Sequence, residues 1–262
     1  MVAWKHMISA VVLTHNSEYM LERVLDALTW CTEILILDSG STDKTLEIAD
    51  RFDAKIYQKP LDQGFGEQKH FAVEKAIYDW VFIVDSDEVV SPELRDEILA
   101  MMREGELTSD SKYSGYKIHR PLFFLKKRLG YAGTQRDWVL RLFDRRRGNV
   151  NYSKVHEEVI LTSGESSSIY GALDHYSYQT LEDYFIKFNR YTSLAAEELI
   201  ARGTNVSRIK MWTAFHATFI KLYIIKLGFL DGFYGFLWCL LSSTSPVVKY
   251  QKYFQRKTFK KI

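Results

Sequence analysis

Three short clusters hold the residues with the most specific chemistry: Thr14-His-Asn16, Asp38-Ser-Gly-Ser-Thr-Asp43 and Asp85-Ser-Asp87. Two carboxylates one residue apart repel, and an exposed strand end tolerates them best with a cation between them. Asp-x-Asp suits a hard divalent ion, Mg²⁺ or Mn²⁺, that keeps waters and bridges to a substrate phosphate. The second carboxylate is then free to take a ribose hydroxyl. The bare pattern is common by chance. Its position after a buried strand, downstream of a similar Asp-Ser-Gly-Ser turn, makes it specific. Each cluster also has a plainer reading, since Asp or Ser after a strand often only caps the next helix. That reading is weakest for Asp85-Ser-Asp87, because Ser91-Pro92 already supplies a cap and first turn for the helix that follows.

The elements that must carry these clusters alternate. Ile8–Leu13 is a short apolar run of the kind buried in a parallel sheet, and Leu21, Val24, Leu25 and Leu28 then mark one face of a helix capped by Ser17. Ile34–Leu37 is a second strand, followed by a helix with Leu46, Ala49 and Phe52 inward. Ala54–Tyr57 is a third strand, a helix spans about Glu67–Tyr78, and Trp80–Val84 is the fourth strand. Strand–helix repetition with short links predicts a parallel α/β sheet with right-handed crossovers. Thr14, Asp38 and Asp85 all fall at carboxyl ends of strands, the edge where open α/β sheets bind ligands. No glycine-rich phosphate loop competes: Gly64-Phe-Gly66 lacks a third glycine and reads as a turn leading into a helix. Lys69, one turn into that helix, is either solvated or in reach of a phosphate.

Val11–Asn16, Leu37–Asp43 and Phe82–Glu88 together resemble, in order and spacing over residues 7–95, the successive signatures of family 2 glycosyltransferases. That resemblance implies the GT-A nucleotide-sugar fold, a mostly parallel sheet flanked by helices, and an inverting transfer. Trp138–Phe143, Val155-His-Glu157 and Gly228–Gly232 more loosely resemble a bacterial subgroup that includes lipopolysaccharide-core heptose β-1,4-glucosyltransferases. The resemblance implies that Thr14, Asn16 and Asp38 hold the nucleotide, that Asp85 faces ribose or metal, and that Asp87 binds Mn²⁺ or Mg²⁺. An inverting displacement needs one general base and electrophilic help for the departing diphosphate, with no protein nucleophile. The Val-His-Glu match points to Glu157 as that base.

The residues themselves leave the base open. Val155, Val159 and Leu161 alternate like a half-buried strand, which turns Glu157 toward the valines unless the strand begins after it or is bulged there. Glu158 and Asp137 are the alternative bases. His156 is either a further metal or phosphate ligand or simply hydrogen-bonded to its acidic neighbours. Arg141, in the alternating Val139–Phe143, either presents its planar fork to a diphosphate or lies on the solvent face of a strand.

The C-terminal part is of another character. Residues 202–262 hold 11 Lys and Arg, a single acid, Asp231, and 13 aromatics, so the chain's net charge of +2 averages a basic tail and an acidic body. Thr180-Leu-Glu-Asp183 is a capping-box start for a helix that ends near Gly203 and is expected to pack on the catalytic domain. In a following segment, Val206–Leu227, Trp212, Phe219 and Tyr223 share one side with Lys210 and Lys221 nearly opposite. The uncharged run Phe233–Leu241 is far shorter than the about 20 residues of a membrane-spanning helix. An aromatic face backed by lysines predicts an interfacial amphipathic extension on an anionic leaflet, the plainer alternative being that the aromatics complete a core. No nucleic-acid motif accompanies the charge.

Composition bounds the rest. The 262 residues are 47% apolar and 26% charged, which excludes disorder, collagen and coiled coil. Two cysteines, Cys31 and Cys239, give no disulfide framework, and MVAWKHMISA has no signal-peptide core, so a reduced, cytoplasmic protein is expected. The expected organisation is a GT-A catalytic domain over 1–178, with a donor half at 7–110 and an acceptor half at 111–178. A helical extension over 179–262 completes it. The expected activity is metal-dependent transfer of a sugar, glucose by the resemblance, from a UDP donor to a lipid-anchored saccharide at the inner face of the cytoplasmic membrane. Two rivals stand beside it. A nucleotidyltransferase making nucleotide sugars would carry a phosphate loop that Thr14-His-Asn-Ser17 is not, and a non-catalytic scaffold would not need Asp38, Asp85 and Asp87.

Overall fold

A computed structural model describes residues 8–60, 64–135, 137–152 and 157–259, which form two compact units. The first comprises Met1–Arg120 and Asp137–His175, the second Pro121–Arg136 and Tyr176–Ile262.

In the first unit, β1 (Ile8–Thr14), β2 (Glu33–Asp38), β3 (Lys55–Gln58) and β4 (Trp80–Asp85) alternate with α1 (Glu18–Asp26), α2 (Thr45–Arg51) and α3 (Phe65–Lys75). Every residue of β1 is buried, as its continuous apolar run predicts for a strand covered on both faces. α1 buries Leu21, Val24 and Leu25. α3 sets Ala72 and Val73 against Val11, Leu13, Leu35, Leu37, Val81 and Ile83. These four strands run parallel in the order β3-β2-β1-β4. The chain therefore moves outward from β1 to β3 and returns to the opposite side of β1 for β4. Strand order reverses between β1 and β4, and the carboxyl ends at such a reversal are where open α/β sheets bind ligands.

Beyond β4 the sheet becomes mixed. β5 (Glu88–Val90), α4 (Pro92–Arg103) and β6 (Tyr113–His119) precede β7 (Leu122–Phe124) and β8 (Lys127–Arg128). β9 (Trp138–Asp144), β10 (Gly148–Val150), β11 (Val159–Leu161) and β12 (Glu165–Tyr178) follow. β9 pairs antiparallel with both β4 and β6, β12 runs parallel to β6, and β5 pairs antiparallel with β12. Opposite β6 the register passes from Leu142 to Leu140, so Arg141 is the extra residue of a bulge. Ser91 caps α4 as expected, its hydroxyl accepting from the Leu94 N–H at 3.2 Å with Pro92 in the first turn. α4 lies so close to β12 that a Cβ on Gly171 would fall 2.2 Å from Leu94 Cα.

The second unit is built on β7, β8, the end of β12 and the C-terminal helices. α5 (Leu181–Ala201) starts with the predicted capping box, in which Thr180 and Asp183 satisfy each other's backbone N–H groups. α6 (Arg208–Phe219) runs into a wide π-turn at Ile220–Ile225 and a 3₁₀ turn at Gly228–Asp231, and α7 (Gly232–Phe259) contains Pro246. Phe124, Tyr178, Tyr184 and Trp238 form an aromatic core with Leu129 and Phe188. α5 thus sets Tyr184 and Phe188 against Phe124, Leu129 and Tyr178, residues within the 1–178 span on which the sequence expects it to pack. The hairpin at 121–136, expected within the acceptor half, groups with the helices because Phe124 and Leu129 belong to this core.

Gly171→Ala should destabilise the protein by about 3 kcal/mol through overpacking of α4 on β12. A urea denaturation midpoint equal to wild type would contradict that close approach.

Candidate active site

The loops after β1, β2 and β4 are tied together at the sheet edge. Thr14 Oγ1 donates to Asp38 Oδ1 at 3.0 Å, the Asn16 amide oxygen accepts the Thr42 N–H at 2.8 Å, and Ser17 Oγ bonds Ser86 Oγ at 2.9 Å. Asn16 adopts φ 49°, a left-handed conformation that asparagine tolerates better than most side chains. Ser17 stands at the predicted cap position of α1, but its side chain makes no cap hydrogen bond there and instead reaches the Asp-x-Asp turn.

Asp38 is fully buried and braces its own loop. Oδ2 accepts the Gly40 and Ser41 N–H groups at 2.9 and 2.8 Å, and Oδ1 accepts the Thr14 and Ser41 hydroxyls. The resemblance implied a carboxylate that holds the nucleotide. Here both oxygens are occupied, and a direct contact requires one of these bonds to yield.

The centre of the site is a chain of alternating charge. Asp137 pairs with Arg120 at 2.8 Å, and Arg120 with Glu88 at 2.9 Å. Glu88 pairs with Arg141 at 2.6 Å, and Arg141 with Asp85 at 2.5 Å. Asp85 pairs with Lys69 at 3.0 Å, and Lys69 with Glu157 at 2.9 Å. Glu88 is fully buried and also accepts the Asp85 N–H, so it locks the turn after β4. Burial pushes the Asp85 carboxyl up, but the Arg141 guanidinium and Lys69 ammonium beside it hold it well below the ordinary carboxylate range. Burial pushes Arg141 the other way, and Asp85 and Glu88 raise it above its ordinary value.

The geometry bears on the alternatives left open for single residues. Arg141 is buried and aimed at the Asp-x-Asp motif, because the bulge in β9 re-aims its side chain. Lys69 is buried and not solvated, clamped between Asp85 and Glu157. β11 begins only at Val159, so Glu157 precedes the strand and escapes its alternation. Of the other candidate bases, Asp137 ends the chain of charges. Glu158 is exposed and outside it, its N–H directed to Asn151. His156 lies outside the described residues.

Asp87 faces His175 of β12, with Oδ1 to Nε2 at 3.6 Å. Among the described residues no group of three or more His, Cys, Asp or Glu could hold a metal alone. Both Asp85 oxygens pair with cations, and Asp87 and His175 set an oxygen and a nitrogen donor side by side. Two protein donors fit an ion that takes its remaining ligands from substrate phosphate and water. The sequence reading missed His175, Arg120 and the buried role of Glu88. Glu88 was signalled only by adjoining the Asp-x-Asp motif, and the other two come from distant strands.

Residues 9–163 match the family model for Glycosyl transferase family 2. An uncharacterized glycosyltransferase of Rickettsia bellii is 30% identical over 88% of this chain and 80% of its own length. The lipopolysaccharide core biosynthesis glycosyltransferase LpsC of Rhizobium meliloti is 27% identical over 97% and 94%. Among solved structures, glucosyl-3-phosphoglycerate synthase of Mycobacterium tuberculosis aligns over 44% of each chain, with 25% identity and a TM-score of 0.37.

Arg141→Met should cost about 3–5 kcal/mol, because it leaves Glu88 buried with one fewer cation; an unchanged urea midpoint would contradict the network. Asp85 has its folded pKa depressed, so its stabilisation is present above about pH 4 and is lost as pH falls toward the folded value. Asp85→Asn should therefore lie below wild type in stability at neutral pH and converge with it in acid; parallel pH–stability curves would contradict the assignment.

Proposed function

From the premise that this chain belongs to glycosyl transferase family 2, we propose that it is a metal-dependent, inverting enzyme that moves a hexose, glucose in our reading, from a UDP-sugar to a lipid-linked saccharide of lipopolysaccharide type. The name of the Rhizobium meliloti relative supports the lipopolysaccharide core as the acceptor class. The observation that carries the mechanism is Lys69, whose ammonium lies 3.0 Å from Asp85 and 2.9 Å from Glu157 and so joins the Asp-x-Asp motif to the candidate base.

Before a donor binds, the Glu157 carboxylate is engaged by the Lys69 ammonium at 2.9 Å. A donor diphosphate placed at the ends of β1 and β4 draws Lys69 and Arg141 toward its oxygens and relieves that pairing. Glu157 then takes the proton of the acceptor hydroxyl as its oxygen bonds the anomeric carbon. The bond from that carbon to the diphosphate breaks, and its electron pair leaves with the diphosphate, toward which Lys69 and Arg141 direct positive charge. A divalent ion held by Asp87 and His175 would supply Lewis-acid help to the same leaving group. The charge chain already holds one acid more than it has bases, and Asp87 adds another, so an anionic donor needs an added cation here. Thr14, Asn16 and Asp38 shape the nucleotide edge. We place the enzyme at the inner face of the cytoplasmic membrane, bound through its basic tail, where enzyme and lipid-linked acceptor share one surface and effective concentration rises.

Glu157→Gln should lower kcat about 10²–10⁴-fold while UDP-sugar binding stays near wild type. Asp87→Ala should lose the divalent-ion dependence of donor binding. Both are read from transfer assays and titrations on purified protein. Full activity in Glu157→Gln would move the base to Asp137 or Glu158.

A further inference from the structure

The second unit leaves a concentrated apolar surface uncovered. Between Ile220 and Phe236, nine large apolar side chains are exposed, among them Ile225 at 67%, Leu230 at 53% and Phe233 at 69%. The expected aromatic face of α6 is only partly outward. Phe219 stacks on Tyr223 of the π-turn and both meet Phe236 of α7 edge-on, whereas Ile220 and Ile224 of the π-turn face out and Trp212 stays exposed. No residue of α6 is buried. Singly scattered surface apolars are ordinary, but nine within seventeen consecutive residues call for a binding role.

Charge is sorted along the same hairpin. Met211 and Ala214 of α6 pack with Tyr250 and Tyr253 of α7, so the chain returns on itself with Gly228–Asp231 at the apex. The far end carries Arg208, Lys210, Lys249, Lys252, Arg256 and Lys257. Asp231, the single acid of the tail, accepts the Gly130 and Tyr131 N–H groups at 3.0 and 2.9 Å. Its charge is thereby held by backbone donors. Lys221 and Lys226 near the apex have stems long enough to carry their ammonium groups away from an apolar surround. Among the described residues no single helix is long and apolar enough to cross a membrane. Arg208–Ile225 and Gly228–Thr258 pass that test only as a pair, bent by 71°.

We propose that the apex Ile220–Phe236 inserts into the hydrocarbon of an anionic leaflet as a re-entrant wedge, with the cations at the base of the hairpin at headgroup level. This rests on the membrane association proposed above and replaces an interfacial helix lying flat with a penetrating turn. An apolar tip gains by burial in acyl chains, and the basic base complements anionic headgroups. The loop at 129–134, bonded to the apex through Asp231 and through the Ala132 N–H to the Lys226 carbonyl at 2.9 Å, is carried to the same depth.

The test uses the full chain with vesicles of phosphatidylethanolamine and phosphatidylglycerol. In a Cys31→Ser background, with Cys239 fully buried, an environment-sensitive fluorophore is attached at Leu230→Cys or at the exposed Asn205→Cys. Lipids brominated on their acyl chains should quench the label at 230 and leave that at 205 bright. The exposed-site triple Phe229→Ser, Leu230→Ser, Phe233→Ser should bind roughly tenfold or more weakly than wild type. Wild-type binding with an unquenched label at 230, and a triple variant that binds equally well, would overturn the wedge and leave the membrane reading standing. A wild-type chain that binds no vesicle, or self-associates through this face instead, would overturn both.

Discussion

Glu88 is the group on which the site depends. It is a fully buried carboxylate, and an unpaired charge in that position is too costly to retain. Arg141 of β9, Arg120 just past the end of β6, and the backbone N–H of Asp85 converge on it. From there the alternation of sign extends through Arg141, Asp85 and Lys69 to Glu157, and through Arg120 to Asp137. Each pair limits where the next can lie, so carboxylates of the strand edge and of the segment before β11 are held in one site.

The sheet supplies the frame for that chain. β1 lies between β2 and β4, which brings Thr14, Asp38 and Asp85 to one edge. Hydrogen bonds from Thr14, Asn16 and Ser17 then tie the loops together. These bonds orient the polar groups before any donor arrives, which lowers the reorganisation that binding and transfer require. Asp38 shows the cost of that order: the carboxylate that the resemblance assigns to the nucleotide is already committed to closing its own turn.

Much of the first unit was legible because its signals are local. β1 to β4 are short apolar runs, and the caps at Ser91 and Thr180 are read from residues within one turn of each other. What was not legible depends on long-range geometry. Nothing in Val139–Phe143 announces a bulge, so the aim of Arg141 stayed open until the register with β6 was known. Lys69 reads as either solvated or in reach of a phosphate until Glu157 and Asp85 are brought to it. His175 and Arg120 are ordinary strand-end residues in sequence and reach the site only through the pairing of β12 with β5 and of β6 with β9. The aromatic side of Val206–Leu227 was legible but its covering was not, because Phe236 of α7 comes back over Phe219 and Tyr223 from outside the segment.

The most direct test of the account is calorimetric titration of the purified chain with UDP-glucose, in Mn²⁺ and again in EDTA, with UDP as the reference ligand. The account requires saturable binding of both nucleotides in Mn²⁺ and a marked loss of affinity in EDTA, because the acid-rich site cannot hold a diphosphate without an added cation. Equal affinity in Mn²⁺ and EDTA would contradict the role given to Asp87 and His175. Failure of either nucleotide to bind under both conditions would contradict the UDP-sugar donor itself.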